Sequence, residues 1–289
     1  MKIALGTAQF GLDYGVSNNS GKVSYNETKL ILKKAKKFKI CTLDTAMSYG
    51  NCEKILGDIG VSKFNLITKL PPIPKNLLDI EGWITENLKR SLDHLCVSKL
   101  YGLLLHNSGD LTGKFGEHYY QSLLNFKNLG IIEKIGISIY DTEELNVLQA
   151  QNIKIDLVQS PFNIFDRRLK TSGWLDKLKK ENIEIHIRSV FLQGLLLQNI
   201  DERNKYFDKW KRKFQLFHDW SNSTGQTQLE AALSFVRSHK SFSSIVLGVQ
   251  NTEQLTEIYN YFNKKEFVTP PDELSSDDLG LINPQNWSL

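Results

Sequence analysis

Eight short apolar runs, each about the length of a strand and separated by longer amphipathic stretches, constrain this chain more than any other feature. They read KIAL (2–5), ICTLD (40–44), FNLITK (64–69), LYGLLLH (100–106), IIEKIGIS (131–138), IDLVQS (155–160), IEIHIRS (183–189) and SIVLG (244–248). Between them, apolar residues recur at helical spacing over 26–38, 84–95, 120–128 and 142–150. Apolar strands that alternate with helices, with no long linker, form parallel sheets buried on both faces. About eight such units in 289 residues suit a closed barrel of about 250 residues better than an open doubly wound sheet. The expected fold is therefore α/β, a (β/α)8 TIM barrel. We expect a single domain over 1–289, with its core at about 2–261 and a C-terminal tail at about 262–289.

The strand ends fall at Asp44, Lys69, His106, Ser138, Gln159, Ser189 and Gly248, and the last gap is the widest. A helical insertion is thus expected before the last strand, at about 197–224. Its aromatics Tyr206, Phe207, Trp210, Phe214, Phe217 and Trp220 follow helical spacing. They read first as core packing, with a partner interface as the alternative. The tail, TPPDELSSDDLGLINPQNWSL, is turn-rich and acidic, and could wrap the barrel or lie near its mouth.

Net charge is +4, and the one dense basic run is LKKAKKFK (32–39). Leu30, Ile31, Ala35 and Phe38 around it fit one helical face, so its lysines read as a solvated surface rather than a nucleic-acid patch. Cys41, Cys52 and Cys96 show neither a CxxC pair nor metal-ligand spacing, which suits a reducing compartment. The first apolar run is too short for a secretory signal, and no apolar stretch reaches the ~18 residues of a membrane span. A cytoplasmic protein with no metal site, no nucleic-acid partner and no membrane partner is expected.

Chemistry on a barrel of this kind gathers at the C-terminal ends of the strands. There the sequence offers Asp44 with Tyr49 in LDTAMSYG, Lys69 in ITK and His106 in LLLHN. Taken singly, each has a plain structural account: a helix cap, a packed aromatic, a surface lysine, a core histidine. Taken together they make more sense as a site. A buried lysine needs a carboxylate, and Asp44 on the next strand can supply it. A cation beside Tyr49 would lower the phenol's pKa from about 10, and His106 could orient a substrate oxygen or assist proton transfer. No GxGxxG, Walker A, HExxH or GxSxG motif competes with this reading.

These residues resemble the aldo-keto reductases, NAD(P)H-dependent enzymes built on a (β/α)8 barrel. LGTAQFG (5–11) is similar to the family's opening loop, and LDTAMSYG to its Asp–Thr–Ala…Tyr–Gly signature. ITK and LLLHN complete the catalytic set in order. KIGISIY, VQSPFNIFDRR, RSVFLQGLLL and IVLGVQNTEQLTEI resemble the later cofactor-binding segments, so the likeness runs from about 2 to 261. It implies that Tyr49 protonates a carbonyl oxygen, Lys69 lowers its pKa, Asp44 pairs with Lys69, and His106 orients the carbonyl. Ser138 and Gln159 would hold the nicotinamide carboxamide. Gly6 and Thr7 would approach the cofactor through backbone, while Ser189, Leu192, Gln193 and Gly194 would line the pyrophosphate. Gly248, Gln254 and Glu257 would face the adenosine.

Three departures bear on the cofactor. Ile139 stands where many members have Asn. Arg188 replaces an aromatic that often stacks on the nicotinamide, and its fork could reach a cofactor phosphate or a substrate carboxylate. Gly248, Val249 and Gln254 replace the Lys, Ser and Arg that often clasp the 2′-phosphate. Family habit puts NADP(H) first, with NAD(H) the rival. The loops 13–19, 70–81, 107–117, 163–170 and 198–204 and the tail would set the substrate. Asn163 and Arg167, with Asp13, Asp166 and Arg188, point to a hydroxylated or anionic small molecule such as a sugar or sugar derivative. The implied activity is reduction of an aldehyde or ketone, or the reverse oxidation. Two rivals remain. One is a partner-binding regulatory barrel resembling the cation-channel β subunits. The other is a redox-neutral epimerase or lyase, which would consume no cofactor stoichiometrically.

Overall fold

The computed structural model describes residues 1–18, 20–264 and 269–289. Asn19, the last residue of the 13–19 loop, and residues 265–268 of the expected tail lie outside the described residues. The strands are β1 (Lys2–Gly6), β2 (Thr42–Asp44), β3 (Asn65–Leu70), β4 (Leu100–Leu105), β5 (Ile132–Ser138), β6 (Leu157–Pro161), β7 (Glu184–Arg188) and β8 (Ser244–Gly248). They are parallel and close into a barrel in chain order. Each expected run contains one strand, and the expected TIM barrel is the fold observed.

The strands are short and apolar because both faces are covered; β6 is buried along its whole length. Inside the barrel Ile67, Leu104 and Leu157 pack together with Tyr101 against them. Near the N-terminal strand ends, Glu184 accepts from Tyr101 at 2.7 Å, contacts His186 at 2.6 Å and pairs with Lys134. That polar cluster lies at the end of the barrel opposite to Asp44, Lys69 and Gln159.

Helix α1 (Tyr25–Lys37) shows why the basic run is helical. Ser24 caps it by accepting from the Glu27 amide, Ile31, Leu32 and Ala35 face the core, and lysines fill the last turn, where they suit the helix dipole. Leu30, expected on the apolar face, is instead 51% exposed. Lys34 reaches across to Thr252 O and Thr256 Oγ1 on α2 (Thr252–Phe262), the helix that follows β8.

The expected insertion contains the 3-10 turn Lys205–Trp210 and the helix α3 (Lys211–Ser223), with α4 (Gln228–Arg237) between it and β8. Phe207, Trp210, Phe214 and Phe217 are buried. The tail lies on this insertion: Trp210 Nε1 donates to Asp278 Oδ2 at 2.9 Å, Lys213 Nζ to Ser275 O at 2.6 Å, and Phe207 meets Trp287 edge-on. These four aromatics are thus spent on the core and the tail, as the first reading of the stripe expects. No described helix is long and apolar enough to cross a membrane.

Candidate active site

Three successive strands deliver the polar groups. Asp44 ends β2, Lys69 lies one residue before the end of β3, and His106 follows β4 directly. Tyr49 sits on the turn before Gly50, whose φ of 56° is left-handed. Lys69 and Asp44 are almost fully closed off, at 1% and 3% exposure. Lys69 Nζ donates to Asp44 Oδ1 at 2.6 Å and to Thr45 O at 2.8 Å, and Gln159 Nε2 donates to Asp44 Oδ2 at 2.6 Å. Both charges are therefore paired and hydrogen-bonded, as burial demands. The ammonium stands 5.5 Å from the Tyr49 ring centre, and the His106 ring meets Tyr49 edge-on at 5.9 Å. The Tyr49 hydroxyl has no hydrogen-bond partner among the described residues and faces a cleft that Tyr49 helps to line.

The electrostatics differ from the expectation. The Tyr49 phenol is pushed well above its ordinary range, first by burial and then by the Asp44 carboxylate, with Arg188 opposing. The Lys69 ammonium, held by Asp44 at 2.6 Å, does not offset that rise. His106 is lowered to about 4, by burial first and the Lys69 charge second. Its imidazole is therefore neutral at neutral pH, and Nδ1 lies 3.2 Å from Ser48 Oγ.

A pH dependence follows. The unfolded chain binds a proton on this histidine below about 6.5, whereas the folded chain resists until about 4. His106 thus withdraws stability as pH falls through that window. Thermal melts between pH 7 and 4 should show a shallower acid decline for His106→Gln than for the wild type. Parallel curves would place the acid sensitivity elsewhere.

From the Tyr49 floor a cleft of about 310 Å3 runs across the ends of β1, β6, β7 and β8. Ten residues expected at the cofactor line it: Gly6, Thr7, Gln159, Arg188, Ser189, Gln193, Gly194, Gly248, Gln254 and Glu257. Thr7 hangs from β2, its amide and hydroxyl both donating to Asp44 O at 3.0 Å. The turn after β7 is contorted: Ser189, Leu192 and Gln193 take φ of 59°, 47° and 55°, a costly geometry that tends to mark functional loops. Gly194, at φ 92°, has no room for a Cβ, which would come within 1.8 Å of Ser17 Oγ. Val16 N donates to Gln193 O at 3.1 Å, so the loop after β1 leans on this turn and helps to wall the cleft.

Two expected cofactor contacts, Leu192 and Ser138, are not among the residues that line the cleft. Leu192 is fully buried, holding the turn from below. Ser138, 3% exposed, lies in register with Gln159, and its hydroxyl has no partner among the described residues. The expected substrate contacts are placed elsewhere. Asn163, fully buried, caps the Phe165 and Asp166 amides and donates to Ser189 O at 3.0 Å. Arg167 fastens the tail, donating to Asp272 Oδ1 at 3.1 Å and Pro271 O at 2.9 Å. Neither lines the cleft, because each spends its polar atoms on holding the fold together. Asp166 pairs with Arg168. The residues missed were Gln9, Tyr14, Ser17, Asn18 and Gln250. Four of them fall in the opening loop or in 13–19, a segment the sequence marks for substrate without naming the side chains.

The family model described as Aldo/keto reductase family matches residues 2–273. The chain belongs to that family. It is accordingly an oxidoreductase acting on carbonyl groups, in a family that uses nicotinamide cofactors. A relative named L-glyceraldehyde 3-phosphate reductase from Escherichia coli O157:H7 is 23% identical, over 94% of this chain and 89% of its own length. One of the same name from E. coli strain K12 is 22% identical, over 89% and 85%. The holo structure of an aldo-keto reductase from Bacillus halodurans superposes with a TM-score of 0.74 at 16% identity, covering 93% of this chain and 88% of that one. The residues present fit the family's cofactor. The unpartnered Ser138 hydroxyl stands beside Gln159, whose Nε2 is committed to Asp44 while its Oε1 has no partner among the described residues.

Proposed function

We propose that this reductase, acting as one domain, reduces a small hydroxylated or phosphorylated aldehyde, with Tyr49 as proton donor. What carries the reading is the closed Lys69–Asp44 pair lying beside a tyrosine whose hydroxyl has no partner among the described residues. Bound cofactor supplies the hydride. Tyr49 gives its proton to the carbonyl oxygen, and the Lys69 ammonium steadies the phenolate charge that develops as it does so. His106, neutral and with Ser48 at Nδ1, presents Nε2–H to the same oxygen. Ser138 and Gln159 take the carboxamide. The substrate class is supported by the names of the two relatives and by the polar wall that Tyr14, Ser17 and Asn18 give the cleft. A panel of aldehydes tests it: turnover of triose phosphates and sugar aldehydes is expected, and activity confined to steroids or long aliphatic aldehydes would overturn it.

At the adenosine end we favour NAD(H) over the NADP(H) of family habit. Gly248, Gln250, Gln254 and Glu257 line that end and bring no cation. The first turn of α2 is also occupied: the Thr252 amide donates to the Glu27 carboxylate and the Gln254 amide to Asn251, each at 2.8 Å. A 2′-phosphate would gain no charge-assisted hydrogen bond there. Fluorescence-quenching titrations should find NADH binding at least as tightly as NADPH. Gln254→Arg should improve NADPH binding about tenfold, the scale of one charged hydrogen bond, and leave NADH unchanged. Tighter NADPH binding by the wild type would reverse the assignment.

A further inference from the structure

Arg188 is the one lysine or arginine on the cleft wall among the described residues, and neutral groups hold it. It donates to Ile139 O at 2.8 Å and to Ser189 Oγ at 3.2 Å, and its guanidinium lies 4.1 Å over the Tyr140 ring. Of the acids on the adjoining loops, the buried Asp166 pairs with Arg168 at 2.9 Å, and Asp141, which pairs with the same guanidinium, is half open to solvent. At the catalytic floor Lys69 is paired with Asp44 at 2.6 Å. Arg188, which makes no ion pair among the described residues, is thus the cation of the cleft wall, and its field reaches both Tyr49 and His106. The anchor point matters as well. Ile139 follows Ser138 directly, and its amide donates to Gln159 O at 2.9 Å. The cation is thus tied to the stretch of backbone between the two groups assigned to the carboxamide.

We propose that Arg188 discriminates between the redox forms of the nicotinamide cofactor and favours the reduced one. The inference rests on the reductase reading above. The nicotinamide ring is neutral when reduced and carries a positive charge when oxidised. A fixed guanidinium beside it repels the charged ring and leaves the neutral one alone. The pyrophosphate, and any 2′-phosphate, are the same in both forms and drop out of the ratio. An aromatic at this position would act in the opposite sense, since its face attracts a cation. When hydride passes to the carbonyl carbon, the C=O electron pair moves to oxygen and takes the Tyr49 proton, while the ring becomes positive next to Arg188. By linkage, the equilibrium between bound forms shifts toward the reduced cofactor by the same factor as the affinities. The equilibrium in solution is untouched. Oxidised cofactor then leaves a site that repels it, which suits turnover in the reductive direction.

The test is four dissociation constants for each protein: NADH and NADPH by fluorescence quenching, NAD+ and NADP+ by calorimetry. Wild type, Arg188→Lys and Arg188→Gln are compared. The wild type should bind the reduced form of its preferred cofactor at least about thirtyfold more tightly than the oxidised form, and Arg188→Lys should keep most of that ratio. Arg188→Gln should narrow it about tenfold, equivalent to about 1.4 kcal/mol, chiefly by tighter binding of the oxidised form. If Arg188→Gln weakens both forms equally, Arg188 serves the phosphates or the loop, and the proposal fails. A wild-type ratio near one overturns it whatever the variants do. Absence of binding of any form to the wild type would remove the reductase reading itself, a result distinct from binding without discrimination.

Discussion

Tyr49→Phe is expected to cut carbonyl reduction by roughly 10^2–10^4, the range a positioned proton donor supplies, while cofactor binding stays within about twofold. The ring remains and keeps the floor of the cleft filled. The hydroxyl makes no hydrogen bond to the described protein, so its removal should leave stability within about 0.5 kcal/mol. The loss should fall on kcat rather than on the cofactor's Kd, because the proton moves only in the transition state. No neighbour can take the role over. His106, lowered to about 4, is neutral when the enzyme works and is a weak acid. Lys69 is buried, and two of its three N–H groups are held by Asp44 and Thr45 O. Single-turnover kinetics beside a fluorescence titration would check both halves. Reduction within tenfold of wild type would move the proton donation to water or to His106, and Tyr49 would become a packing residue.

Much of this site is legible in the sequence, and the reasons differ from residue to residue. The strand ends can be read because a two-faced parallel strand has to be apolar until it reaches the rim, so Asp44, Lys69 and His106 stand out as the polar interruptions. The turn after β7 shows through the Gln193–Gly194 pair, where the left-handed backbone calls for glycine. What cannot be read is how a polar side chain chooses between ligand and chain. Asn163 and Arg167 look like substrate contacts in VQSPFNIFDRR, yet their partners are backbone amides and the tail, over a hundred residues away in the case of Asp272. Gln159 shows the same limit in milder form: one end of its amide lines the cleft and the other supports Asp44. The direction of the Tyr49 shift is also hidden, since it depends first on how deeply the fold buries the phenol and then on the nearby Asp44 carboxylate.

Lys69→Met carries the second large effect, because it should damage folding and catalysis by separable routes. Methionine fills much of the lysine's volume, but it leaves Asp44 at 3% exposure without its cation. Breaking a buried pair from one side costs about 3–5 kcal/mol. Gln159 still donates to Oδ2, which offsets only part of that loss. The sign of the pH dependence follows from the carboxylate. Deprived of its ammonium, the buried Asp44 carboxylate is costly to keep charged. The variant's deficit should therefore be smaller in acid, where the carboxyl can be neutral, than at neutral pH. Thermal melts of wild type and variant from pH 4 to 8 would show the two curves diverging toward neutrality; a constant gap would mean that packing, not charge, was lost. Adding Asp44→Asn removes the stranded charge while leaving an oxygen for Gln159, so the double variant should recover most of the stability. It should not recover activity. The phenolate that forms as Tyr49 gives up its proton would still lack the ammonium 5.5 Å from its ring, and kcat should stay about 10^2-fold or more below wild type, the scale of one lost transition-state contact. Stability and rate returning together in the double variant would reduce the pair to a structural strut, and Tyr49 would have to do its chemistry without an electrostatic partner.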